Sequence, residues 1–213
     1  MARKTKEDAE RTYHALLDAA AELFIRQGVS RTTLSDIAHE AGLTRGAVYW
    51  HFRNKDSVIE ALWARNARRL QEAFEQLETH ARAADPVPAF RQAIHALIRR
   101  VVEEPELGQI TRIVMHVVEF TDEQNALQRF LNDRRDILHD HMRAAFEILG
   151  QRGVLRNDLS PSLLAEGLLA YIYGLVHSDF SPGEPVIDLA RNGRALIDLY
   201  LDSIFSGPGA CVC

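Results

Sequence analysis

Between Thr44 and Phe52 the chain reads TRGAVYWHF, where a guanidinium, a phenol, an indole and an imidazole crowd around one glycine. No nucleophile stands beside a base here, and no paired carboxylates offer general acid–base work. These residue types suit a polyanion instead. Arg45 can present a two-pronged donor to guanine, and Tyr49 can reach a phosphate or a thymine methyl. Gly46 between them lets the backbone come close to a duplex, which offsets its cost of about 0.8–1 kcal/mol against alanine in a helix interior. Trp50 and His51 add contacts at the rim, their direction left open by periodicity between phosphate and the seam with the fourth helix.

The distribution of charge agrees. The 213-residue chain has a net charge of −5, yet residues 1–55 carry nine Lys/Arg against seven Asp/Glu, while the remainder carries sixteen against twenty-three. A polyanion would dock on the first quarter, where Lys4 and Lys6 belong to a basic arm. With 46% apolar and 26% charged residues, the composition is that of an ordinary globular protein. No apolar run approaches a membrane span, the opening MARKTKEDAE contains no signal core, and the expected compartment is the cytoplasm.

Elements that can hold the quoted stretch in place follow from helical spacing, since strand alternation is absent and the fold class reads as all-α. A first helix over about 7–27 puts Leu16, Leu17, Ala20, Leu23 and Phe24 on one face and stops at Gly28. Thr33-Leu34-Ser35-Asp36 has the form of a capping box opening a second, short helix that ends at Gly42. Thr44 can cap a third helix and Asn54 a fourth that runs from Lys55 to about Ala83. In the third, Val48 and Phe52 share the packing face, while Arg45 and Tyr49 share the other. Thr33, Thr44 and Lys55 lie at helix N-termini, where N–H groups and the dipole favour phosphate. Beyond Asp85-Pro86-Val87-Pro88 come further periodic segments at about 87–103, 106–120, 123–150, 161–180 and 186–205. About nine helices result, and the tail SGPGACVC reads as flexible.

Three short helices, the second and third joined at Gly42-Leu43, fit the helix-turn-helix plan. The stretch TTLSDIAHEAGLTRGAVYWHFRNKDSVIEAL strongly resembles the DNA-binding domain of TetR-family bacterial repressors. MARKTKED, TRGAVYWHF and the EFTDE at Glu119 to Glu123 resemble more narrowly the AcrR-type repressors of multidrug efflux-pump operons. The resemblance implies a non-enzymatic, ligand-responsive repressor: a homodimer, each subunit with a DNA-binding domain at 1–55, a ligand-binding and dimerisation domain at 56–206, and a tail at 207–213. It implies palindromic or pseudo-palindromic operator DNA and a small-molecule effector as partners, with no cofactor. Family DNA contacts carried onto this chain fall on Thr33, Thr44, Arg45, Gly46, Tyr49, Trp50, His51 and Lys55.

No phosphate loop, nucleophile elbow or metalloprotease helix occurs after residue 86. Aromatic and soft apolar residues mixed with a few polar groups suit a pocket for an apolar or aromatic effector: Trp63, Phe90, Ile94, Leu97, Ile110, Thr111, Val114, Met115, Phe146, Tyr171 and His177. The resemblance adds His116, strengthens Thr111 and Met115, and marks Met115 and Tyr173 as departures from the polar residues its relatives often carry. It also implies a four-helix dimer bundle from the last two segments, with Leu168, Tyr171, Leu175, Ile197, Tyr200, Leu201 and Ile204 as contacts. His139 and His141, two residues apart on a helix, face differently and make a poor metal chelate, so no metal site is assigned. An alternative is a regulator of another pathway with a redox or metal response through Cys211 and Cys213.

Overall fold

In the computed structural model the described residues are 6–117, 126–156, 158–181 and 186–205, with the side chains of 116 and 117 excepted. They form nine α-helices: α1 (Lys6–Gln27), α2 (Leu34–Glu40), α3 (Arg45–His51), α4 (Lys55–Ala81), α5 (Pro86–Glu103), α6 (Pro105–Arg112), α7 (Ala126–Gln151), α8 (Pro161–Asp179) and α9 (Leu189–Ile204). The all-α expectation holds; among the described residues the sole extended pairing is an isolated bridge between Leu155 and Phe205. Prolines 86, 105 and 161 open helices, since a first-turn N–H has no intrahelical partner to lose. One departure is the π-helical turn Ile113–Val117 after α6, where 3.6-residue periodicity predicts continuous α-helix.

By compactness the chain divides into Met1–Ala67 with Gln109–Phe130, and Arg68–Gly108 with Leu131–Cys213. In the first unit, Leu16, Leu17, Ala20 and Phe24 of α1 are buried with Ile37 of α2, Val48 of α3 and Val58, Ile59 and Leu62 of α4. At roughly 1.5–3 kcal/mol for each large side chain, that burial supplies most of what holds three short helices together. Lys55 adds a polar tie, its Nζ donating to the carbonyls of Val29 at 2.6 Å and Ser30 at 3.1 Å.

The second unit packs Phe90, Ile94 and Leu97 of α5 with Met142, Phe146 and Leu149 of α7, Leu164, Leu168 and Leu169 of α8, and Ile197 and Leu201 of α9. Phe90 meets Phe146 edge-on, ring centroids 5.5 Å apart, a favoured arrangement for two ring quadrupoles. Between α5 and α9 lies an ionic seam. Arg91 donates to Asp198 and Asp202, each at 2.6 Å, and His95 Nε2 lies 2.8 Å from the same Asp198 oxygen. Arg152 donates to the carbonyls of Arg82, Ala83 and Ala84, closing the turn after α4 where no helical partners remain.

Candidate nucleic-acid interface

Local chemistry sets the three short helices. Thr33 forms the capping box: its Oγ1 accepts from the Asp36 N–H at 3.1 Å while its own N–H donates to the Asp36 carboxylate at 2.8 Å. The Thr33 backbone N–H and hydroxyl together hold the Asp36 carboxyl below the usual carboxylate range. After α2 the chain reverses at Gly42, φ +66°, with Leu43 N–H bonded to Ala38 O and Gly42 N–H to His39 O. That left-handed stop suits glycine because it has no Cβ to clash. Thr44 then caps α3 by accepting from Ala47 N–H at 3.3 Å. Asn54 and Ser57 cap α4 reciprocally, Ser57 N–H to Asn54 Oδ1 at 2.9 Å and Asn54 N–H to Ser57 Oγ at 3.3 Å.

These caps orient α3 so that its residues separate cleanly. Val48 is fully buried and Phe52 nearly so, whereas Arg45, Gly46, Tyr49 and Trp50 all face solvent, Tyr49 at 50% exposure and Trp50 at 74%. The Arg45 guanidinium carbon stands 5.5 Å from the Tyr49 ring centroid, a cation–π contact on the open face. A Cβ added at Gly46 would meet just the Thr44 hydroxyl, at 3.9 Å. Nothing among the described residues requires a glycine there.

The remaining expected residues take different positions. His51 turns to α1, its ring 5.6 Å from Tyr13, with Tyr13 stacked on Phe52 at 5.4 Å and Trp50 edge-on to His51 at 4.5 Å. The ring therefore packs on the first helix, through Tyr13, and not at the expected seam with the fourth, while Trp50 is the member of the pair that faces outward. Helical spacing does place Tyr13 one turn before Leu16 and Leu17, a signal available in the sequence but unused. Thr33 donates its hydroxyl proton to Asp36 at 2.8 Å, so the cap consumes the group expected to clamp phosphate. Thr44 uses its oxygen as a cap acceptor and retains a proton to donate. Lys55 is engaged with two carbonyls. Lys6 is exposed at the start of α1; Lys4 lies outside the described residues.

The residues expected to line an effector pocket fall into two groups, one in each unit. Trp63, Thr111, Val114 and Met115 in the first are half-buried and Ile110 is buried; the side chain of His116 lies outside the described residues. In the second, Phe90, Ile94, Leu97 and Phe146 are buried and His177 is exposed. Tyr171 stacks on Tyr200 at 5.1 Å and donates to Leu196 O at 3.0 Å. Tyr173 stacks on His139 at 6.0 Å, and burial pushes its phenol up to about 12. Of the residues expected in a dimer interface, Leu168, Leu175, Ile197, Leu201 and Ile204 are covered within the single chain; the large apolar side chains that α8 and α9 expose are Leu163, at 56%, and Leu199, at 69%. His139 Nδ1 lies 3.1 Å from Glu166 and His141 Nδ1 2.9 Å from Glu78, so the two imidazoles point to different helices. Glu119–Glu123, Cys211 and Cys213 lie outside the described residues.

A capped helix fixed by one buried face, with cationic and aromatic groups open on the other and a left-handed glycine turn before it, makes this a helix-turn-helix DNA-binding protein. Comparison with known proteins supplies the family. Residues 16–62 match the N-terminal domain described as bacterial regulatory proteins, tetR family. Over 98% of both chains the sequence is 31% identical to the HTH-type transcriptional regulator TtgR of Pseudomonas putida. It is also 31% identical to the regulator AcrR of Shigella flexneri, over 98% of this chain and 96% of that one. The solved complex of SmeT with triclosan is similar in structure, with a TM-score of 0.74 and 30% identity over 95% of each chain; SmeT is the repressor of the Stenotrophomonas maltophilia multidrug efflux pump SmeDEF. The chain belongs to the TetR family and is a DNA-binding transcriptional regulator rather than an enzyme. No helix among the described residues is long and apolar enough to cross a membrane.

Proposed function

We propose that the chain is a cytoplasmic, ligand-responsive repressor of a multidrug efflux operon, binding a palindromic or pseudo-palindromic operator as a homodimer. The observation that carries the DNA half is the division of α3: Val48 and Phe52 buried, Arg45, Tyr49 and Trp50 exposed, and room for a methyl group at Gly46. On this reading Arg45 and Tyr49 contact base edges, Thr44 and Trp50 the backbone, and Gly46 permits close approach. Thr33, His51 and Lys55 hold the reading helix in position. Full-length similarity to TtgR, AcrR and SmeT supports efflux regulation, and the SmeT–triclosan complex supports a small-molecule effector.

Residues 1–55 would read DNA and 56–206 would bind effector and pair subunits. The exposed Leu163 and Leu199 support pairing through α8 and α9, and a second subunit multiplies discrimination by adding a second half-site. Effector binding shifts the population away from the DNA-binding state by its differential affinity for the two states. The test is a titration of the purified chain with the DNA upstream of its own gene at several salt concentrations. Expected is sequence-dependent binding whose log affinity falls linearly with log salt. Binding indifferent to sequence overturns the repressor reading.

A further inference from the structure

The outer side of α5 differs from the side that joins the core. Phe90, Ile94 and Ile98 are buried, whereas Gln92, His95, Ala96 and Arg99 recur at the spacing of one helical stripe and line open clefts. The larger cleft, about 490 Å³, is bordered by Gln76 and His80 of α4, by His95, Arg99 and Arg100 of α5, and by Arg194 of α9. A second of about 240 Å³ lies between α5 and α9, shares His95, Arg99 and Arg194, and has Glu103 on its rim.

Among the described residues no carboxylate lines the larger cleft. Residues 56–213 hold sixteen Lys/Arg against twenty-three Asp/Glu, so three arginines in a cleft wall that contains no carboxylate run against the composition around them. Elsewhere in the same unit, arginines are spent on carboxylates: Arg91 on Asp198 and Asp202, Arg143 on Glu166. Here Arg100 has Glu104 at 2.9 Å, but Arg194 is 84% exposed with Asp198 no nearer than 3.9 Å, and Arg99 makes no ion pair among the described residues. Guanidinium forks match phosphate and carboxylate oxygens two at a time, and low-dielectric cleft walls concentrate their field. The volume falls in the range of small-molecule sites.

We propose that this cleft binds a small organic polyanion, a metabolite carrying two or more phosphate or carboxylate groups, held by Arg99 and Arg194 with the amides of Gln76 and Gln92 as further donors. Its polar donors on α5 lie on the face opposite Phe90 and Ile94, and of the apolar residues expected to meet an effector only Leu97 borders the cleft. Because His95 also faces Asp198 across the two helices, a bound anion competes for one of the groups that tie α5 to α9. The proposal does not depend on the identity of the operator or on efflux regulation.

Isothermal titration of the full chain with sodium pyrophosphate and, separately, trisodium citrate tests it, each at an ionic strength matched with potassium chloride. Expected is saturable binding of at least one probe, weakened about tenfold or more by Arg99→Ala/Arg194→Ala and retained in the control Arg68→Ala/Arg135→Ala, which removes two exposed arginines elsewhere. Saturation by pyrophosphate alone assigns a phosphorylated ligand, by citrate alone a polycarboxylate, and by both a site that counts charge. Failure of both probes to saturate, or equal weakening in the two double variants, overturns the proposal. Circular dichroism of each variant confirms that the exposed substitutions leave the fold intact.

Discussion

The reading helix α3 and the α5–α9 pair are secured by opposite means. α3 is seven residues long and buries Val48, with Phe52 just beyond it; its outward polar groups make few bonds within the protein. α5 and α9 bury a row of large apolar side chains and also commit Arg91, His95, Asp198 and Asp202 to one another. A surface built to meet a polyanion keeps its donors unspent, since each bond made internally must be broken on binding. A structural seam uses its donors internally, since a half-buried charge without a partner is costly. By the same criterion, Arg99 and Arg194 belong with the reading helix rather than with the seam beside them.

The contrast breaks most visibly at the core of the second unit. Phe90→Ala is expected to cost about 3–5 kcal/mol in urea unfolding; a loss below about 1 kcal/mol would mean that Phe90 is not the packed centre of that unit. Arg45→Ala should do the reverse, leaving the unfolding midpoint unchanged while losing roughly 1–3 kcal/mol at one base position per half-site. Unaltered base preference in a panel of single-substituted operators would remove Arg45 from direct readout.

The ionic seam can be tested through pH. Desolvation raises the Asp198 carboxyl, but hydrogen bonds from Arg91 and His95 outweigh it and leave it below the usual range. A depressed folded-state value means that its stabilisation is fully present above the unfolded carboxylate value, near 3.9, and is lost as pH falls through the folded value. Asp198→Asn should therefore cost about 1 kcal/mol at neutral pH, the scale of a partly exposed pair, and the gap from the parent should shrink below about pH 4. A gap that does not vary with pH would assign the loss to shape rather than charge. The smallest effect is the most discriminating. Gly46→Ala should stabilise the chain by roughly 0.5–1 kcal/mol, since the added methyl meets the Thr44 hydroxyl only at van der Waals distance, yet weaken operator binding. Tighter binding alongside the added stability would show that close backbone approach is not why the glycine is there.

Much of this was legible from residue types at short spacing. The capping box at Thr33 and Asp36, the left-handed Gly42 and the alternation of Val48 and Phe52 with Arg45 and Tyr49 depend on neighbours within one or two turns, where sequence distance and spatial distance coincide. The direction of His51 was not legible, because Tyr13, thirty-eight residues earlier, supplies its partner. The π-helical turn at Ile113–Val117 was equally hidden, since one inserted residue shifts the face without changing the apolar pattern enough to show.

The sequence by itself determined the all-helical class, the extents of the first five helices to within a few residues and the face of α3 left open to solvent, because caps, glycines and 3.6-residue spacing act locally. Tertiary structure alone decided which polar groups remain available. Lys55 matches the phosphate-clamping pattern as well as Thr44 does, yet the carbonyls of Val29 and Ser30, more than twenty residues earlier, engage it. Arg99 and Arg194 read as ordinary surface charges until α4, α5 and α9 bring them to one cleft without a carboxylate. Residue type establishes what a side chain can bond, whereas its availability depends on every partner the fold brings within three ångströms or so.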